Sequence, residues 1–500
     1  MRILLEFESD SSPVQRARIS YAFRLFCAIY GHTPLLGEEP AGSADVRLRR
    51  VTQPASENHE PCLELSNLYR PRPIHEPAPS PRGFVRDGEA TVLFYPPLPR
   101  QEPDWLGEIF EWVSCADEYS VEDRDSAGRV PFDATRAGQD HLHMQVPYAA
   151  VAMRLLQRAL CRLLPGAAEE PASPVAWVRH FVVPTHDVDY LHLGRFNSLY
   201  HLMRNSAISL LLSRDLPLCL RQAWLALRAA LGGQDPLGQV HWLAVEEALR
   251  GTTASYYFIL RHGHRRDPDY AYRSLRTGEL MQALEALRME VGLHGSYTSL
   301  DTPDGLPMEF DRMRRMGFQP QGGRQHFLRF TLDRLIPALE RAGARYDTSF
   351  GWSDRIGFRS GACFAFPPYY FPEERPATFL EIPMLMMDQA FQQGQGVEAA
   401  GYEQAAELLS TSRKYGWGGV SLLWHPAAFG GGWLKPEIGE MYWALMGRKS
   451  ATSDTWLSAN SFLQSVRQRY VDVGLLPLEK PASCSPADGR QPRHLELIGA

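Results

Sequence analysis

From about residue 178 onward the chain alternates short apolar runs with amphipathic segments, and this rhythm restricts the fold more than any other feature. The runs "VRHFVVPTHDVD", "ASYYFIL", "MEVGLHGS", "FQPQGGRQHF", "ARYDTSF", "TFLEIPMLMMD" and "GGVSLLWHP" read as strands. Between several of them, "GELMQALEALR", "PMEFDRMRRMG", "TLDRLIPALERAG" and "YEQAAELLSTSRKYG" carry the apolar spacing of helices. Strand–helix–strand alternation argues for a parallel sheet with helices outside it, either open or closed into a barrel.

A chain of 500 residues has room for two or three domains. Residues 1–165 read as a smaller N-terminal α/β domain. "MRILLEF" opens it as a strand, and "QRARISYAFRLFCAIYG" is a helix ended by Gly31. "ADVRLRRV" and "EATVLFYPP" are further strands, while the prolines of "RPRPIHEPAPSPRG" place that stretch in a surface loop. "DWLGEIFEWVSCADEY" and "PYAAVAMRLLQRALCRLL" are helical, and no convergent polar cluster stands out in this part. Residues 166–176 form a linker by composition, and residues 177–445 hold the barrel-like unit. A helical insertion at 200–250 interrupts it. Its core, "NSAISLLLSRDLPLCLRQAWLALRAALGG", reads as one or two amphipathic helices capping the domain, with a membrane-surface or partner-binding face as the alternative. Residues 446–475 are expected as C-terminal helices and 476–500 as a flexible tail.

Composition excludes several classes. The net charge of −6 gives no global electrostatic case for nucleic acid or an anionic membrane. Seven scattered cysteines without a CxxC pair argue against a disulfide framework and a thiolate zinc site. "MRILLEFESDSS" is too short in apolar residues for a signal peptide, and no run approaches the roughly 18 apolar residues of a membrane span. A cytoplasmic location is the default expectation.

In parallel α/β folds, sites form at the carboxyl ends of the strands. Here those ends carry Asp187 and Asp189, His294, Arg324 with His326, Asp347, and His425. Side chains alternate along a strand, so Asp187 and Asp189 share one face and His186 points the other way, into a structural role. Two close carboxylates call for a cation or a shared proton. Carboxylates with imidazoles form a mixed oxygen/nitrogen ligand set for a divalent metal, zinc first. One carboxylate off the metal could act as base and a histidine as acid, which suits hydrolysis of an amide or ester. Asp347 is expected to orient a histidine or Arg324. Arg359 and Glu381 are expected to form an internal ion pair, and "RHGHRRDPD" (261–269) a solvated loop. Tyr297, Trp352, Phe364, Phe366, Tyr369 and Trp424 are the aromatics near the strand ends, available for stacking on a ligand or for the core.

The ordered string "THDVD", "LHGSYT", "GGRQHFLRF" and "LLWHP" resembles the polysaccharide deacetylase superfamily (NodB-like, carbohydrate esterase family four) across roughly residues 178–430. The spellings look like a divergent bacterial branch that also carries an N-terminal domain with a segment similar to "DWLGEIFEWVSCADEYSVEDRDSAGRVPFDATRA". The resemblance implies an irregular (β/α)7 barrel and removal of an acetyl group from an N- or O-acetylated saccharide with a divalent metal. It implies Asp187 as base, Asp189 and His294 as ligands, His425 as acid, and Arg324 as the residue orienting the base. The chain departs from the pattern in three places. Val188 separates the two aspartates. Thr298 stands where the family has a second histidine, and His326 is the imidazole that would replace it. Asp347 and Trp352 only echo the family's Asp-Trp pair. The competing expectation is a catalytically inactive barrel that binds a glycan, or a polysaccharide-biosynthesis partner through the N-terminal domain.

Overall fold

A computed structural model describes residues 1–478, apart from 38–43, 53–60, 74–80, 99–100, 165, 192–193, 212–213, 232–236, 269, 271–272, 394–398 and 432. The proposed tail therefore lies almost wholly outside the described residues, as does half of the proline-rich stretch, residues 74–80.

The N-terminal part is built on a parallel sheet in the order Thr33–Leu36, Arg2–Glu6, Val46–Val51, Cys62–Ser66. The helix Pro13–Tyr30 packs on it. Ser12 caps its start by accepting the Gln15 N–H, proline occupies the first turn, and Gly31 ends it at φ 71°, which a residue without Cβ adopts freely. Two strands of this sheet escaped the sequence reading: Thr33–Leu36 and Cys62–Ser66, only four and five residues long. Glu89–Leu93, expected as a strand, is one, and it pairs outside this sheet in an antiparallel hairpin with Arg82–Arg86.

All seven runs beyond residue 178 are extended. They form a curled parallel sheet in the order Leu380–Glu381, Tyr346–Asp347, Gly322–Gln325, Glu290–Gly295, Ser255–Phe258, His180–Val188, Gly418–Leu423, Met384–Met387. Its first and last members belong to one stretch of chain. Residues 380–381 pair with Tyr346 and Asp347, and residues 384–387 pair with the Gly418–Leu423 strand. His180–Val188 is buried along its whole length, as a strand with neighbours on both edges and packing on both faces must be. It also extends beyond the start of its Ser255–Phe258 neighbour. There Asp454–Trp456 adds a parallel strand, inside a segment expected to be helical throughout.

One apolar core runs from Ile3 and Phe26 of the N-terminal part into Tyr256, Phe364 and Trp417. Polar ties cross the same boundary. Tyr21 donates its hydroxyl to the Pro367 carbonyl at 2.8 Å, and Ala149 N–H reaches the Gly361 carbonyl at 2.9 Å. The expected Arg359–Glu381 pair does not form. Arg359 instead grips Glu118 of the N-terminal part with two hydrogen bonds of 2.9 and 2.5 Å, and both side chains are buried. A polar cluster absent from the sequence reading also lies within residues 1–165, where Arg72 and Arg136 close on the buried Glu111.

Candidate metal centre

The curled sheet gathers its carboxyl ends around a small pocket lined by Asp187, Asp189, His294, His326, Phe327 and His425, among others. Ligand atoms of Asp189, His294 and His326 lie within 4.8 Å of one another. His294 Nε2 is 3.9 Å and His326 Nε2 3.6 Å from Asp189 Oδ1, while His425 Nε2 is 3.6 Å from Oδ2. Asp189 Oδ1 is buried and accepts no hydrogen bond among the described residues. An orphaned carboxylate oxygen facing two imidazole nitrogens is a site that a divalent cation satisfies.

The imidazoles are held from behind. His294 donates its Nδ1–H to the Arg324 carbonyl at 2.9 Å, which leaves the Nε2 lone pair facing the pocket. Burial lowers the His294 pKa, against the opposing pull of the Asp187 and Asp189 carboxylates beside it. His326 turns its Nδ1 toward Asp267 at 3.4 Å. Asp267 in turn accepts the backbone N–H groups of Tyr297, Gly263 and His264. The backbone just past His326 is strained, with Phe327 at φ 60° and Leu328 at φ 53°. Left-handed geometry at two successive bulky residues persists only where the surroundings impose it, and both residues line the pocket.

Asp187 and His425 flank the triad. Asp187 Oδ2 lies 3.4 Å from His294 Nε2, and its Oδ1 accepts a hydrogen bond from Arg324 Nη1 at 3.0 Å. Arg324 is fully buried and fixed by further bonds to Thr185 Oγ1 and the Thr348 carbonyl, each 2.9 Å. Burial works to raise the Asp187 pKa, but His294, Arg324 and His425 outweigh it and hold the carboxyl below its ordinary range. His425 has the opposite balance: burial disfavours its charge, yet Asp388 prevails and pushes its pKa up to about 9.

Two groups take other positions. His186 faces away, its Nδ1 bonded to the Trp424 carbonyl at 2.6 Å and its Nε2 to Glu247 at 2.8 Å, the structural role its side of the strand implied. Asp347 does not line the pocket. It accepts hydrogen bonds from Ser349 and pairs with Glu381 beneath it, where burial raises the pKa of both acids. Of the aromatics named for stacking, Trp352, Phe364, Phe366, Tyr369 and Trp424 are core residues. Phe327, at 40% exposure, is the large aromatic of the pocket wall.

Three residues at this site escaped the sequence reading. Asp388 follows the Met384–Met387 strand, where the strand-end rule could have found it. Asp267 lies in the stretch expected to be a solvated loop, yet it is buried behind His326. Arg129 reaches the pocket from the N-terminal part, tied to Asp125 at 2.7 Å, on a segment that Arg266 and Tyr297 anchor by bonding to the Ser126 and Ala127 carbonyls. Only long-range packing brings it there.

No family model matches the chain, and no curated protein matches it. Among solved structures, one similar chain is the "putative glycoside hydrolase/deacetylase" of Parabacteroides distasonis. It shares 12% identity at a TM-score of 0.33, over 58% of this chain and 71% of that chain.

Proposed function

We propose that this chain is a metal-dependent hydrolase on an irregular (β/α)7 barrel, removing an acetyl group from an N- or O-acetylated saccharide. The observation that carries the reading is the convergence of Asp189, His294 and His326 on one point, with Asp187 and His425 separately braced beside it. Counting residues 380–387 as a single member, the curled sheet has seven strand positions around the pocket, which supports the barrel.

Asp189, His294 and His326 would hold the divalent ion, and their oxygen/nitrogen set suits zinc. When bound, such an ion supplies Lewis acidity and makes water acidic near neutral pH. Asp187, kept ionised by Arg324, accepts the proton of the attacking water as its oxygen bonds to the acetyl carbon. His425, kept protonated by Asp388, donates a proton to the departing nitrogen or oxygen as the acyl bond breaks, so acetate and the freed sugar amine or alcohol leave. The order of the sequence motifs supplies the substrate class. A barrel that only bound a glycan would need neither the Arg324–Asp187 contact nor the Asp388–His425 pair.

The test combines metal analysis with acetate release. Purified protein should carry about one divalent ion per chain and release acetate from at least one of a panel of acetylated sugars. Asp187→Asn should abolish release while keeping the metal. Protein that binds no divalent ion, with ligand binding unchanged in Asp187→Asn, overturns the proposal in favour of a binding module.

A further inference from the structure

The helical insertion carries apolar side chains on both its inner and its outer face. On the helix Leu216–Ala230 the side chains of Leu218, Gln222, Leu225, Ala226 and Ala229 are buried. Yet Leu216, Leu220, Trp224, Leu227 and the following Leu231 line up on the opposite side, between 52% and 79% exposed. The preceding helix, Gly194–Leu211, does the same: Leu202, Asn205, Ser206 and Ser209 are buried, while Tyr200, Met203, Ile208 and Leu211 are exposed. Polar groups meet between the two helices. Ser209 Oγ donates to Gln222 Oε1 at 2.8 Å, and Ser206 Oγ donates to the Cys219 carbonyl at 3.0 Å. A cap whose only task was to cover the domain would carry polar side chains on its outer face, not a row of leucines with a tryptophan. An exposed apolar stripe of this length marks an interaction surface.

Charge selects the occupant. Residues 194–231 hold five arginines and one aspartate in a chain of net charge −6. The single acid is already engaged, since Asp215 accepts the Leu218 N–H at 3.0 Å and pairs with Lys435 at 3.3 Å. Arg221 and Arg228 flank the leucine stripe, with the Arg228 guanidinium 4.7 Å over the Trp224 ring. An apolar stripe carrying tryptophan and rimmed by arginine is the composition that seats a helix at the boundary between headgroups and acyl chains of an anionic bilayer. Among the described residues no helix is long and apolar enough to cross a membrane, so the hairpin would lie on the surface. We infer that the helical hairpin of residues 194–231 docks this protein on an anionic phospholipid surface.

The hairpin and the metal centre are neighbours. A cavity of about 540 Å³ under the hairpin is lined by Arg204, Ser209, Gln222, Trp433 and Gln389, and Gln389 also lines the metal pocket. The inference does not depend on the deacetylase reading, and its test uses no catalytic step.

The test is flotation of the full chain with vesicles of phosphatidylcholine, alone or with phosphatidylglycerol as the minor lipid. The protein should float with the anionic vesicles about tenfold more than with neutral ones, and added salt should release it. Leu220→Glu/Leu227→Glu changes two exposed positions, and with unchanged thermal melting it should lower anionic-vesicle binding about tenfold or more. Arg221→Gln/Arg228→Gln keeps the apolar stripe and should remove most of the preference for anionic lipid. Failure of the unmodified protein to float, or equal flotation of the Leu220→Glu/Leu227→Glu protein, overturns the inference. So does a dimer in light scattering that the same pair of substitutions converts to monomer, because the stripe would then belong to a second copy of the chain.

Discussion

Asp388 holds His425 from two directions. Its Oδ1 and Oδ2 lie 2.9 and 3.1 Å from His425 Nδ1, and Oδ2 also accepts the His425 backbone N–H at 2.7 Å. The ring can therefore neither rotate nor lose its Nδ1 proton easily, and Nε2 stays directed at the pocket. The arrangement resembles the orienting carboxylate behind a catalytic histidine in hydrolytic triads.

Asp388→Asn keeps the shape of this contact and removes its charge. Acetate release by the variant is expected to fall by about 10²-fold in kcat, with KM changed little and the metal content intact. Steady-state kinetics alongside metal analysis of the same sample checks both parts. An unchanged kcat would remove His425 from the proposed chemistry.

His326 stands where the resemblance leaves a gap, and Asp267 stands behind His326. His326→Ala is expected to abolish stoichiometric metal binding. Asp267→Asn should weaken it by about 10- to 100-fold, as loss of a carboxylate behind a ligating imidazole does. Competition titration against a metal-sensitive dye measures both. Full affinity in His326→Ala would exclude it as a ligand.

The grip of Arg359 on Glu118 joins the two parts of the chain through a buried pair. Glu118→Gln leaves a buried guanidinium without its counterion and should cost about 3–5 kcal/mol, read from urea unfolding. The double change Glu118→Gln/Arg359→Met should cost less than Glu118→Gln alone, because the uncompensated charge has been removed as well. A larger loss in the double variant would show that packing, rather than charge, makes this contact important.

Asp454 sets an acid limit on stability. Burial works against its charge, but His180, Arg413 and Thr452 outweigh this and hold its pKa at about 2. A depressed carboxyl stabilises the folded state above its unfolded pKa of about 3.9, and that contribution drains away as pH falls toward 2. Asp454→Asn should therefore lose roughly 2 kcal/mol at pH 7, and the gap from the unmodified protein should narrow below about pH 4. Urea midpoints across that interval give the comparison.

Much of the barrel-like unit was legible because its strands are short apolar runs separated by amphipathic helices, a pattern that survives without tertiary information. Asp187, Asp189, His294, Arg324, His326 and His425 were located by where the apolar runs stop, and a period of two set Asp187 and Asp189 apart from His186. What the sequence hid depends on contacts between distant segments. Asp267 looks like part of a charged loop until Tyr297 and His326 close on it. Arg129 sits among ordinary surface charges until the N-terminal part folds over the rim. Asp347 follows the strand-end rule but turns to Glu381, because a neighbouring buried acid competes for it. The Thr33–Leu36 and Cys62–Ser66 strands are only four and five residues long, and Asp454–Trp456 is extended because the start of His180–Val188 offers it an edge.

Residues 380–387 serve as both margins of the sheet, and this has a mechanical consequence. From Glu381 to Met384 the backbone can stretch to about 10 Å at most, so the margins are tethered by a strap three peptide units long. Asp388 leaves the far end of that strap. The rim carrying it cannot swing away from Tyr346–Asp347 without tearing hydrogen bonds on one margin or the other. Any motion that admits a bulky polymer to the pocket must therefore come from the segments laid over the rim, Arg129 and its loop among them.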